Sequence, residues 1–198
     1  MNIGSGTLVP QEEQNKGGVK TPPPKFSHLS HIDIKEYCQF ITFRTFDSVD
    51  EFVKKLSATD KLNKEKQQAI DDYLDSSQNG AYLNGEILDY LYHFLKSKDG
   101  NLYELVAFVI MSNHVHLLIK PLKNLSKLMQ IVKGASAKVM NENLGKSGKF
   151  WADDYYDKVI RDEKHFWLVY KYIKNNPAKV AFGGVKTPLP NRFYGKYK

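Results

Sequence analysis

The chain has 198 residues, of which 41% are apolar, enough for one packed domain with tails rather than two full domains. Its one cysteine, Cys38, excludes an internal disulfide and a Cys-rich zinc site; the longest apolar run, at 105–111, is too short to span a bilayer. No secretory leader opens the chain, so a cytoplasmic protein without membrane partners is expected. The net charge is +7, and it is polarised: seven lysines and one acidic residue, Glu142, fall between Lys120 and Lys149. Such an excess suits a polyanion such as nucleic acid, although many basic proteins only stay soluble by it.

In chain order, residues 1–26 are rich in glycine and proline and read as a disordered leader. Residues 37–45 are aromatic and β-branched and predict a first strand. Residues 49–57 and 61–75 read as helices with a polar side, ended by Asn79 and Gly80. Apolar residues at 83, 87, 88, 91, 94 and 95 predict an amphipathic helix from Leu83 to Lys96. Asp99 and Gly100 make a turn, and Tyr103 to Met111 is a nearly continuous apolar strand. Ser112 and Asn113 turn it into a hairpin partner at 114–119. A long helix follows from Leu125 to Asn143, with Leu125, Leu128, Met129, Val132, Ala135 and Val139 on one face. A strand within 150–160 and a final helix from Glu163 to Asn176, stopped by Pro177, complete the series. The order predicts an α+β fold, an antiparallel sheet with helices packed mainly on one face.

One octapeptide recurs, GGVKTPPP at 17–24 and GGVKTPLP at 183–190, matching at seven of eight positions. The copies are too short for a structural unit and flank the folded core. They are either translated copies of a repeated DNA element or two similar tails.

Two constellations could carry chemistry. His114 and His116 lie two apart on a predicted strand, so both imidazoles face one side while Val115 and Leu117 face the other. Such a pair can hold a divalent cation, or can be ordinary strand histidines. Tyr172 and Asn176 are one helical turn apart and can face a common point. The alternatives are a boundary tyrosine and a helix-terminating asparagine. Lys127 and Lys138 lie opposite the apolar face of their helix, as a solvated face or a phosphate footprint.

Together these segments resemble a known family. MSNHVHLLI at 111–119 resembles the HUH segment (His, hydrophobic residue, His) of single-tyrosine transposases, and YIKNNP at 172–177 resembles the tyrosine-helix signature of the REP-associated subgroup. Residues 128–141, GKFW at 148–151, YDKVIRD at 156–162 and the first strand fit as well. The resemblance covers about 27–182, leaving residues 183–198 as a basic C-terminal tail. The stretch from Asp60 to Asp99 has no role in it, and the ending lacks the tryptophan found in many relatives.

The resemblance implies a ferredoxin-like domain acting as a metal-dependent, single-strand-specific DNA transesterase on repeat or hairpin DNA, as a monomer or homodimer. Tyr172 would attack a phosphodiester, giving a 5′-phosphotyrosine. His114 and His116 would hold Mg²⁺ or Mn²⁺, with Asn176 as third ligand or orienting group. The metal, or a nearby lysine, would lower the phenol's pKa or take its proton, and no base is nameable from the motif. Lys127, Lys133, Lys138, Lys149, Lys158 and Arg161 would meet the phosphate backbone. Trp151, Tyr155 and Tyr156 either stack on bases or pack in the core. The rival readings are a non-catalytic DNA-binding relic, a metal-dependent hydrolase using bound water, and a structural or interaction protein.

Overall fold

The structure, a computed structural model, describes residues 37–49, 51–59, 62–182 and 192–197. The expected leader and both copies of the octapeptide lie outside the described residues. The strands are β1 (Gln39–Arg44), β2 (Tyr103–Ile110), β3 (His114–Pro121), β4 (Tyr156–Val159) and β5 (Arg192–Gly195). The α-helices are α1 (Glu51–Ser57), α2 (Asn63–Ser76), α3 (Gly85–Ser97), α4 (Leu125–Leu144) and α5 (Glu163–Phe182).

The strands form one sheet in the order β4-β1-β3-β2-β5, and every pairing is antiparallel. With α3 between β1 and β2, and α4 between β3 and β4, the first four strands have the ferredoxin-like βαββαβ arrangement expected. Strand alternation assigns the side chains to two layers. Ile41, Phe43, Val115, Leu117 and Ile119 pack with the apolar faces of α3 and α4. Phe40, Val109 and Leu118 pack with Phe166, Tyr170 and Ile173 of α5. The helices of the repeat therefore share one face, and α5 covers the other. Complete burial of a side chain such as Leu117 or Ile173 contributes roughly 1.5–3 kcal/mol, and β2, buried on both faces, reads as a nearly unbroken apolar run. The register between them shifts between Leu105 and Ala107. This bulge lets Val106 and Ala107 both join the α5 layer.

Three local expectations need correction. The buried stripe of α4 ends in Ser136 and Met140, not in Ala135 and Val139. The tilt places Ser136 under Trp151, whose Nε1 donates to the Ser136 hydroxyl at 3.0 Å. Helix α5 does not stop at Pro177 but runs to Phe182. Proline forfeits only the bond of its own missing N–H, and the surrounding turns carry on. Residues 192–195 are not part of a tail: they form β5 on the edge of β2. Phe193 packs in the α5 layer and Tyr194 in the α3–α4 layer, so this short strand caps both. Gly195 suits this close approach, since a Cβ would displace the Tyr170 hydroxyl, which accepts the Tyr197 N–H at 2.9 Å. Among the described residues no helix is long and apolar enough to cross a membrane.

Candidate active site

The site grows from the α5 side of β3. His116 stands opposite Thr42 of β1, and His114 opposite Arg44, so alternation brings both imidazoles to the layer that α5 covers. Both are fully buried. The Phe40 ring stacks on His116 at 5.5 Å between centroids and meets Tyr172 edge-on at 5.9 Å.

The hydrogen bonds behind the imidazoles orient them. The Asn113 Nδ2 lies within hydrogen-bond distance of the Leu74, Ser77 and Asn79 carbonyls, at 3.3, 3.1 and 3.2 Å. Its amide is thereby turned so that Oδ1 accepts from His114 Nδ1 at 2.8 Å. His114 carries its proton on Nδ1 and keeps a lone pair on Nε2. Burial, with the Arg44 charge beside it, lowers its pKa to about 3, so it is neutral at physiological pH. His116 Nδ1 lies 2.8 Å from the Thr42 hydroxyl, which can donate or accept. When His116 also donates from Nδ1, both Nε2 lone pairs point into one space, 3.2 Å apart. Two nitrogens each about 2.1 Å from a shared ion stand roughly 3.0–3.4 Å apart at ordinary bond angles. The pair thus has the spacing of two ligands of one cation.

Asn176 supplies a second observation. It lies one turn beyond Tyr172 on α5, is fully buried, and neither its Oδ1 nor its Nδ2 has a hydrogen-bond partner. Such a carboxamide is destabilising by about 1–3 kcal/mol unless a further group satisfies it. Because α5 continues past Pro177, Asn176 sits inside a helix and is not its terminating residue. Among the described residues no three His, Cys, Asp or Glu side chains cluster to hold a metal. A cation here would be held by His114 Nε2 and His116 Nε2, with the Asn176 amide oxygen on α5 as a further donor and positions left open.

The Tyr172 hydroxyl lies 3.3 Å from His116 Nε2 and 3.3 Å from Asp71 Oδ2. Burial pushes its phenol well above the ordinary range, and the charges of Asp71 and Asp75 add to that. Asp71 is buried on α2, the helix in the stretch that had no role in sequence. Asp75, one turn later, brings a carboxylate oxygen to 3.6 Å from His114 Nε2. The same Asn113 amide that orients His114 holds the end of α2 through its three carbonyls. Sequence reasoning missed Asp71, Asp75, Thr42, Asn113 and Arg44. The one signal for the acids was Gln67, Asp71 and Asp75 at four-residue spacing, a pattern that solvated helices also show.

The basic residues divide between the layers. Lys158 stands opposite Phe40 in the β1–β4 register, on the side of the imidazoles, and lines a groove of about 280 Å³ with Arg161, Lys164 and His165. Lys127 and Lys138 are exposed on α4, across the sheet. Lys133 donates to the Ala152 and Asp153 carbonyls at 2.6 and 2.7 Å, and Lys149 pairs with Asp153 at 2.6 Å. Trp151 is a core residue, packed on Phe43 and Phe150. Tyr155 lines a groove beside α4, and Tyr156 packs near Phe40.

The family model for IS200-like transposases matches residues 77–176. An uncharacterized protein of Haemophilus influenzae is 33% identical over 93 residues, an alignment covering 35% of this chain and 52% of that protein. The chain therefore spans about half the length of that curated relative. Among solved structures, a REP-associated tyrosine transposase bound to a REP hairpin is similar with a TM-score of 0.46 and 18% identity, over 81% of this chain and 76% of that one. A candidate transposase from Deinococcus radiodurans gives 0.42 and 20% identity, over 70% and 89%.

Proposed function

The chain belongs to the family of IS200-like transposases, and from that premise we propose that it is a metal-dependent, single-strand-specific DNA transesterase of the REP-associated kind. It nicks and rejoins repeat or hairpin DNA through a 5′-phosphotyrosine on Tyr172. The observation that carries this reading is the convergence of the Tyr172 hydroxyl on His116 Nε2 at 3.3 Å, with His114 Nε2 a further 3.2 Å away.

Tyr172 is the nucleophile: its oxygen bonds to phosphorus while the bond from phosphorus to the 3′ oxygen breaks. His114, His116 and Asn176 would hold Mg²⁺ or Mn²⁺, which supplies Lewis-acid polarisation of the scissile phosphate. Phe40 fixes the Tyr172 and His116 rings at their edge-on and stacked distances, so the hydroxyl is aimed before DNA arrives. Arg44, Lys158 and Arg161 supply positive charge on the site's side of the sheet for the strand on either side of the cut. Because the ester formed resembles the ester broken, the step is close to neutral in energy and the strand can be rejoined.

The test is end-labelled single-stranded hairpin DNA from the flanks of the gene, mixed with protein and Mn²⁺ and run on a denaturing gel. A metal-dependent covalent band, absent in Tyr172→Phe and in His114→Ala, is the expected result. Cleavage that survives Tyr172→Phe would move the assignment to a water-using hydrolase. Binding without cleavage, across several hairpins and both metals, would leave a DNA-binding relic.

A further inference from the structure

Resting on the transesterase reading, we infer that Asp71 is the general base of the reaction, the carboxylate that takes the phenolic proton as Tyr172 attacks. It comes from α2, whose residues 63–76 precede the segment matched by the family model.

The geometry points the carboxylate in one direction. Gln67, one turn earlier, donates to Asp71 Oδ1 at 2.6 Å, which leaves Oδ2 facing the Tyr172 hydroxyl at 3.3 Å. The contact joins residues 101 positions apart, and Asn113, bonded to carbonyls at and just after the end of α2, helps hold that helix beside the imidazoles. His116 Nε2 is equally near the hydroxyl, but its lone pair is the one directed at the cation position beside His114. A nitrogen committed to an ion cannot also accept a proton. Asp71 Oδ2, at 3.3 Å from the hydroxyl, is an acceptor with no such commitment to an ion.

A base is needed because a phenol, with an ordinary pKa of about 10, is protonated at neutral pH. Burial raises Asp71 to about 7, Asp75 reinforces this, and Gln67, Tyr172 and Arg44 oppose it. A carboxylate near 7 is ionised often enough to accept and basic enough to pull. The groups facing it are Gln67 and Asp75 on α2, Arg44 on β1, Tyr156 on β4 and Tyr172 on α5. The step balances as follows. The proton of Tyr172 moves to Asp71, and the phenolic oxygen bonds to phosphorus. The 3′ oxygen leaves with its electron pair and is protonated from solvent, and Asp71 later returns its proton to solvent. In rejoining, a 3′ hydroxyl bonds to phosphorus and loses its proton to solvent, the phenolic oxygen leaves, and Asp71, reprotonated from solvent, supplies its proton to Tyr172.

The experiment measures the single-turnover rate of covalent capture with Mn²⁺ from pH 5.5 to 8.5, for the wild type, Asp71→Asn and Asp71→Glu. Hairpin affinity and Mn²⁺ binding are measured alongside. Asp71→Asn should lower the rate by about 10²–10⁴-fold and abolish the rise with pH expected of the wild type, with both affinities kept. Asp71→Glu should restore part of the rate. In metal-free protein Asp71→Asn should melt higher than the wild type at pH 8, since it removes a buried charge; Asp71→Ser repeats the kinetic test if the amide packs badly. Equal rates and the same pH profile in wild type and Asp71→Asn would overturn the inference while leaving the transesterase in place. No adduct from the wild type with any hairpin or metal would remove the premise and the inference together.

Discussion

Val115, Leu117 and Ile119 turn toward α3 and α4, whereas His114 and His116, their neighbours on β3, turn toward α2 and α5. Both sides are buried. On the first, apolar area removed from water is sufficient, and any well-filled set of side chains would serve. On the second, every buried polar atom needs a partner in the right direction. Asn113 sets His114, Thr42 meets His116 and Gln67 turns Asp71, while among the described residues neither polar atom of the Asn176 side chain has a hydrogen-bond partner. One strand thus carries a face chosen for volume and a face chosen for orientation. Substitutions on the first should act on stability, and those on the second on chemistry.

The widest separation between the faces is expected from His114→Ala. Metal-dependent covalent capture should fall by more than about 10³-fold, since a ligand and its share of transition-state charge stabilisation are lost. A gel assay with Mn²⁺ and a melting curve on the same sample give the comparison; capture above a tenth of the wild-type rate would break it. Leu117→Ala is the converse. It should cost about 2–5 kcal/mol of stability by leaving a cavity between β3 and α4. Urea titration reads the loss, and at a temperature where the variant remains folded the capture rate should stay within a few-fold.

The next effect is a pH dependence confined to the oriented face. Asp71 is raised to about 7 in the fold against 3.8 for the free side chain, mainly by burial. Folded protein therefore keeps a proton that unfolded chains release, and stability falls as pH rises from about 4 to about 7. Asp71→Asn should remove that arm, so that its advantage opens across this window and reaches up to about 4 kcal/mol above it. His114 acts in the opposite sense. Its folded value near 3 means that stability is lost as pH falls from about 6.5 toward 3, in both proteins. Thermal melts of metal-free protein at steps of pH would show both arms, and parallel curves for the two proteins would exclude the first.

The smallest effect concerns DNA. Lys158→Ala, on the side of the imidazoles, should weaken hairpin binding several-fold and reduce the salt slope by about 0.7, the value for one phosphate contact on a single strand. Lys138→Ala, across the sheet, should change neither. Fluorescence anisotropy over a salt series separates them, and equal losses would show that the strand crosses both layers.

Much of this was legible in the amino-acid order. Period-two alternation placed His114 and His116 together and away from Val115 and Leu117, and the four-residue interval joined Tyr172 to Asn176. The strands and helices of the ferredoxin-like repeat followed from apolar periodicity and turn residues. Local spacing misled where the chain is bent to a neighbour. The α4 stripe shifts to Ser136 and Met140 because Trp151 packs against it, and α5 passes Pro177. Strand β5 had no readable signal, since four residues acquire meaning only from the edge of β2.

What the sequence determined by itself was therefore the longer strands and helices and, for β3, the face each residue presents, because backbone geometry repeats over two or four residues whatever the rest of the chain does. What the tertiary structure alone decided was which faces meet. Thr42 reaches His116 across 74 positions and Asp71 reaches Tyr172 across 101, and no local period encodes such pairs. They arise because burying apolar surface on both sides of β3 leaves α2 one place to end, beside Asn113, with its carboxylates over the tyrosine.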